Sequence, residues 1–502
     1  MMCSAGMCIE LSEDPDNDVL IPDEGEADAS TEELPFADGI EIAKIYLNQG
    51  VAIPVYENGD WVNGADRVAD GIRDRAGLIR AFWSDAGDEE RDITARLVLS
   101  GAVDHVYVSR KMVSGTSDVA DPETTFNFTI AEDHLIPDVE MQIDLRETEE
   151  SNDGADEASL WPEDGPGALE ITDEIRTVKL TVVRVANPNC ADGIPEIDDE
   201  EHWHKFHTTL YSWYPTNDFD VRIHDTILEN AHTDWIPLLD GLISMRASDG
   251  EPENHHYFGY IDACANTFGS GTGSGGLAWP WSTVSGGIWW YEKHILWGQM
   301  YEYAWAIAAH EAGHSQGRRH FDACGAGGPF TPYPHADGEL EPDNWGYGVV
   351  DGYLAATHKV YDKRFVDYMG YCDPQWTTLH TWNALWDGEV ETFRSPFGDE
   401  DTMLIRVANQ DGTVKWRAIP GYMTDERANS DERVRFVTKS GQTVEAPAYT
   451  DVLDNLSTYV AVRMPATLDK ITEITYIPKP GDARANVAVD IAEVGRPAKP
   501  KN

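Results

Sequence analysis

Basic residues are scarce: 37 Lys and Arg stand against 90 Asp and Glu, for a net charge of −53. That balance argues against nucleic acid as a partner, because phosphates need basic groups. It also argues against docking on anionic lipid. Such a surface repels itself unless counterions screen it, which points to a salty or calcium-containing medium. No twelve-residue calcium loop is present, so a calcium ion has no motif behind it. Long apolar runs are missing too, and nothing approaches the roughly 20 residues of a membrane-spanning helix. Cysteine is sparse, since six in 502 residues are too few for a disulfide-built scaffold. Residues 1–8 are too short for the apolar core of a secretory leader. The expectation is a leader missing from this sequence, with Cys8 and the acidic tether after it resembling the end of a lipoprotein leader.

What is present is enough apolar matter for a large fold. Hydrophobic residues make up 41% of the chain and 17 are tryptophan, which excludes global disorder. A chain of 502 residues exceeds one ordinary core, so two or three domains are expected.

Residues 310–320 carry the strongest chemical signal. His310 and His314 are four apart and share one face of a helix, where they can hold one metal ion. Glu311, beside the first histidine, is placed to take a proton from water without being a ligand. Gly317 permits the left-handed exit that returns His320 as a third nitrogen ligand. Three protein ligands and one open position describe catalytic zinc, whereas structural zinc is closed by four. The helix is supported by a proline-free stretch over 299–316 and an alanine-rich run at 306–309. Gly313 in its interior costs about 1 kcal/mol relative to alanine.

Downstream, Asp367, Tyr368, Met369, Gly370, Tyr371 and Cys372 form a second landmark. With it the chain resembles the metzincin zinc proteases, whose extended motif matches His310, Glu311, His314, Gly317 and His320. The resemblance implies that Met369 is the methionine of the turn beneath the metal. It also implies that Tyr371, two residues on, stabilises the transition state. Short segments at 276–279, 324–329, 345–347 and 369–372 look like bacterial secreted proteases of the dictomallein and mucinase type, over roughly 177–388. In that group the substrates are often extracellular glycoproteins. The edge strand Gly276, Leu277, Ala278 and Trp279 would pair with an extended substrate backbone, which makes internal peptide bonds the target. Cys324 and Cys372 bracket the segment between helix and turn and are expected to pair, the alternative being two buried thiols. Cys190 and Cys264 are candidates for a second bridge, while the pairing of Cys3 and Cys8 is left open. Disulfides would imply an exported, oxidising location, secreted or at the cell surface.

Along the chain the expected organisation is an acidic disordered tail at 1–38, a β-sandwich-like domain at 39–150 and an acidic linker at 151–176. A catalytic domain at 177–388 and a β-rich domain at 389–502 follow. The expected fold class is α+β: a metzincin-like catalytic domain, with a mixed twisted sheet and an active-site helix, flanked by two β-sandwich-like domains. His202, His204 and His207 form a weaker metal candidate, lacking a glycine exit and a base, and read as an ordinary helix face. His255, His256 and His335 have no motif around them and read as loop residues. The function expected is that of a zinc metalloendopeptidase. The alternatives are a silent adhesion or glycan-binding protein on a protease scaffold, and another zinc hydrolase such as an exopeptidase.

Overall fold

The computed structural model describes residues 34–148, 160–262, 275–289, 303–326, 365–389 and 402–496, less short interruptions, with 333–335, 339–340, 346–361 and three short N-terminal strands. The chain divides into two compact units. One comprises 1–174 with 340–365, and the other 175–339 with 366–502.

The first unit is built of antiparallel strands. Alternation of apolar and polar residues with period two gives two sheets of five strands each. In one, Gly77–Ser84 lies between Glu41–Asn48 and Phe126–Ile130. In the other, Arg91–Gly101 lies between His105–Val113 and Val139–Glu147. The 1–38 tract, read as a disordered acidic tail, contributes strands: Met2–Ser4 pairs with Met7–Ile9, and Val19–Ile21 pairs with Ala355–Tyr361. The apolar Val19, Leu20 and Ile21 interrupt the acidic sequence there, which suits them to a sheet.

The second unit opens on β1 (Thr177–Ala186), an almost continuous apolar run of the kind that a parallel sheet buries on both faces. After α1 (Glu200–Trp213), β2 (Asp218–Ile223) pairs with it in parallel. After α2 (Trp235–Asp249), β3 (His255–Asp262) pairs in parallel on its other side. Asp234 caps the start of α2 through Ile236 N, and Gly250 ends it with a φ of 67°. The edge strand β4 (Gly276–Ala278) runs antiparallel to β5 (Val284–Trp289), itself parallel to β3. The sheet order is β2-β1-β3-β5-β4. Helix α3 (Tyr303–Ser315) is tied to its neighbours by tyrosine hydroxyls: Tyr214 donates to Ala309 O at 2.6 Å, and Tyr260 of β3 donates to Ala304 O. A short helix, α4 (Leu379–Ala384), follows, capped by Thr378.

The C-terminal strands are β6 (Thr402–Ala408), β7 (Val414–Pro420), β8 (Ser430–Thr438), β9 (Thr443–Val452), β10 (Thr458–Arg463), β11 (Ile471–Ile477) and β12 (Val487–Val489). They form one antiparallel sheet in the order β7-β6-β10-β9-β8-β11-β12. Both of its faces are buried at the centre. Leu404, Val460 and Val462 point into the sheet's own core with Phe436 and Ile474. The alternate residues Met403, Ile405, Val407, Tyr459 and Ala461 point the other way, into one core with Leu238, Leu242, Leu277, Trp279 and Trp281. The C-terminal sheet and the β1–β5 sheet are therefore halves of one hydrophobic interior, not beads on a linker.

The expected α+β metzincin-like fold class is not met. Strands account for 43% of the described residues and helices for 18%, so this is a mainly β protein. Among the described residues there are four α-helices, of 6 to 15 residues. The reason lies in the flanking regions, whose period-two alternation contributes many antiparallel strands, whereas glycine exits at Gly250 and Gly317 keep α2 and α3 short.

The seam within the second unit is aromatic. Tyr459 stacks on Trp279 at 5.9 Å and donates from its hydroxyl to Pro280 O at 3.1 Å. Replacing Tyr459 by Phe should cost about 1 kcal/mol for the lost hydrogen bond. Replacing it by Ala should cost about 3–5 kcal/mol for the cavity. Urea unfolding of both variants checks this, and equal midpoints for Tyr459→Ala and wild type would contradict a shared core.

Candidate metal centre

The helix α3 presents His310 and His314 on one face, as four-residue spacing requires. Beyond Ser315 the chain turns sharply: Gly317 N donates to His314 O at 2.8 Å and Arg318 N to Gly313 O at 2.9 Å. Gly317 adopts φ +81°, and a Cβ there would lie 2.2 Å from Trp281 Cη2, so both conformation and space demand glycine. The turn returns His320 to the two helical histidines.

The three imidazoles converge. Their Nε2 atoms are 3.0 Å apart for His310 and His314, 3.1 Å for His314 and His320, and 3.2 Å for His310 and His320. Three nitrogens around one zinc ion at tetrahedral angles would stand roughly 3.3 Å apart. The tautomers agree with that use. His310 Nδ1 donates to Tyr368 O at 2.6 Å and His314 Nδ1 to Arg318 O at 2.7 Å. Because a carbonyl can only accept, both rings turn an Nε2 lone pair inward, as a ligating histidine does. Burial, with smaller contributions from His320 and His310, pulls the His314 imidazole down to about 3, so it stays neutral and ready to ligate. Lone pairs packed at 3.0 Å repel one another, and a cation at their centre removes the repulsion. The donor set fits a divalent ion.

Three further groups surround this centre. Glu311 is buried, and its Oε2 has no hydrogen-bond partner among the described residues. Burial, and then the charge of Asp454, holds its carboxyl well above the ordinary range. Gly276 of β4 lies directly against it, since a Cβ there would be 2.3 Å from Oε1. Tyr371 stands with its ring 5.0 Å from that of His320, and burial followed by the Asp454 charge raises its phenol. Its hydroxyl donates to Asp454 Oδ1.

Beneath the histidines, Met369 is fully buried against the helix, and a Cβ at Gly313 would meet its sulfur at 2.6 Å. Met369 N donates to Asp367 Oδ1 at 2.8 Å and Gly370 N to Asp367 O at 3.0 Å, which fixes the turn. Cys324 and Cys372 form a disulfide, with Cα atoms 5.2 Å apart and a sequence separation of 48. On the chain-entropy model a loop of that length contributes about 4 kcal/mol. Cys190 is also disulfide-bonded, while Cys264 lies outside the described residues.

The edge strand is buried at Leu277 and Ala278, as is Trp279 beyond its end, with Leu277 and Trp279 in the core shared with the C-terminal sheet. The side chain of His202 lies outside the described residues, and among those described the weaker histidine candidates are not part of this group. His204 faces Thr208 at 3.5 Å, and His335 rests its ring on Tyr333 at 5.7 Å. His255 and His256, read as loop residues, are buried in β3, where His255 pairs with Glu251 at 3.1 Å and with Thr181 at 2.7 Å.

One member of the centre was not anticipated. Asp454 Oδ1 lies 2.9 Å from His320 Nε2 and 3.9 Å from His310 Nε2, and Oδ2 lies 3.5 Å from His314 Nε2. Together the three histidines and Asp454 form a group able to hold a metal ion. Although burial alone would raise it, His320 beside it keeps the Asp454 carboxyl well below the ordinary range. In sequence it reads as the first residue of an Asp-Asn turn between two strands, with no spacing that ties it to the histidines.

Comparison with protein-family models, with curated proteins and with solved structures finds no match to this chain.

Two expected outcomes follow from the geometry. Gly317→Ala should lower metal affinity at least about tenfold and destabilise the protein by more than about 1 kcal/mol. Metal content after dialysis against a chelator checks the first, and full retention would show that the turn is dispensable. The second concerns His256, whose imidazole burial pulls down to about 3. The unfolded ring protonates near 6.5. Below that pH the unfolded state therefore binds more protons and stability falls, by up to about 2 kcal/mol between pH 7 and 5. His256→Phe should flatten that part of the pH profile in urea titrations.

Proposed function

We propose that the protein is a zinc-dependent metalloendopeptidase acting on internal peptide bonds of extracellular proteins or glycoproteins. The observation that carries this reading is the inward convergence of three imidazoles with a buried glutamate one residue from the first. The resemblance of His310, Glu311, His314, Gly317, His320 and Met369 to the metzincin motif supports it as a likeness of the site, apart from the fold class.

His310, His314 and His320 would hold the ion. A zinc ion so held supplies Lewis acidity, polarising a carbonyl and acidifying water. Glu311, with its raised affinity for a proton, takes a proton from the attacking water and delivers it to the leaving amine. Tyr371 donates a hydrogen bond to the oxygen that gains charge. Met369 and Asp367 hold the floor under the histidines, and the disulfide ties helix to turn. The Cys324–Cys372 bridge supports an oxidising, exported setting, and the charge of −53 suits a salty one. No helix among the described residues is long and apolar enough to cross a membrane.

A second reading has an observation in its favour. Asp454 supplies a fourth protein ligand, and four protein ligands are the mark of structural zinc. On that reading the centre is permanently closed and staples the C-terminal sheet to the helix.

Glu311→Gln should retain zinc and lose cleavage of an unstructured casein by about a hundredfold or more. Zinc content and fragment mass spectrometry measure both. Equal cleavage by variant and wild type would refute the role of Glu311, and fragments only from chain ends would point to an exopeptidase.

A further inference from the structure

We infer that Asp454 is an intramolecular cap: its carboxylate occupies the fourth metal position in place of substrate, so that the C-terminal sheet holds the enzyme latent. This rests on the peptidase reading and adds its regulation.

The position of the carboxylate argues for it. Asp454 Oδ1 and Oδ2 stand 2.9–3.9 Å from the three inward Nε2 atoms, at the corner that three histidines leave open. The same carboxylate accepts the Tyr371 hydroxyl hydrogen bond. Metal position and tyrosine hydroxyl are the two partners that the oxygen of a scissile carbonyl would need. A carboxylate, which is also what peptide hydrolysis leaves behind, meets both at once.

The carboxylate is enclosed at this corner. The Asp454 side chain is only 6% exposed, and β4 is buried on the core shared with the C-terminal sheet. Two carboxylates, Glu311 and Asp454, sit side by side in this interior. Such an arrangement is costly unless the pair keeps a proton or a cation lies between them and the imidazoles.

The cap is mounted on a built hairpin. Asp454 opens the tip between β9 and β10, where Leu453 N donates to Ser457 O at 2.9 Å and Leu456 N to Leu453 O at 2.7 Å. Leu456 holds φ +60° and is half exposed, at the outer end of the tip. Arg319, next to His320, grips the base of the same hairpin. Its guanidinium pairs with Asp451 at 3.2 Å, donates to Thr450 O at 2.5 Å and lies over the Tyr449 ring at 4.9 Å. Because the tip satisfies its own backbone, the Asp454 side chain can be removed without dismantling the hairpin. Catalysis then requires the tip at 453–457 to withdraw while the sheet beneath it stays packed.

The test uses the full chain loaded with Co2+ or Zn2+, as wild type, Asp454→Ala and Asp454→Asn. The cap predicts that acetohydroxamate alters the visible Co2+ spectrum of Asp454→Ala at concentrations at least about tenfold lower than those needed for wild type. Asp454→Asn should fall between them, since it keeps the shape and one oxygen but not the charge. Casein cleavage by the zinc form of Asp454→Ala should rise by about tenfold or more over wild type. Equal hydroxamate responses in all three proteins would overturn the cap, and equal casein cleavage alongside them would leave the peptidase reading intact. A hydroxamate response confined to the variants, with no cleavage by any protein, would show a closed structural site and overturn both the cap and the peptidase reading. Failure of wild type to bind either metal would overturn both.

Discussion

Two hydrogen bonds to backbone carbonyls organise the centre on which the rest of the structure depends. Tyr368 O and Arg318 O each take an Nδ1 proton, at 2.6 and 2.7 Å, and so oblige His310 and His314 to face inward as bare lone pairs. Both carbonyls belong to turns that the surrounding architecture must place: the one around Asp367 and Met369, and the exit from α3 at Gly317. The disulfide, the Met369 contact with Gly313 and the Tyr214 bond to Ala309 hold these pieces in register. A centre of converging imidazole nitrogens could hold a cation, and binding one would then be coupled to local folding.

The second constraint is the C-terminal sheet. Its central strands bury both faces, one in their own core and one against α2 and the edge of the β1–β5 sheet. That double burial explains why the runs at 403–407 and 459–462 are almost wholly apolar where a surface sandwich would alternate. It also carries Asp454 to the metal centre. A module that looked separable by sequence is in this way part of the site, and its hairpin decides whether the fourth position is available.

Local chemistry was readable where short spacing determines geometry. Four-residue separation placed His310 and His314 on one face, and the glycine requirement at 317 announced the turn to His320, here backed by φ +81° and the Trp281 wall. The Cys324–Cys372 bridge was also legible, because both cysteines flank segments that the site must hold together. The fold class was misjudged. The motif drew attention to a helix, while most of the chain follows period-two alternation, and the balance of strand over helix is a property of the whole chain that no motif reports. His255 and His256 were misplaced in a loop because two adjacent polar residues break the apolar pattern of β3, and partners such as Thr181 and Glu251 compensate only in three dimensions.

By itself, the sequence determined the ligand spacing, the glycine exit, the acidic surface and the alternation that makes strands, all of which depend on residues within a turn or two of one another. Only the tertiary structure decided that Asp454 joins the histidines in one group and that the C-terminal sheet shares a core with the β1–β5 sheet. The physical reason is range. Backbone geometry transmits a preference over a few residues, whereas bringing a carboxylate to an imidazole more than a hundred positions away requires the packing of whole sheets, which no local pattern encodes.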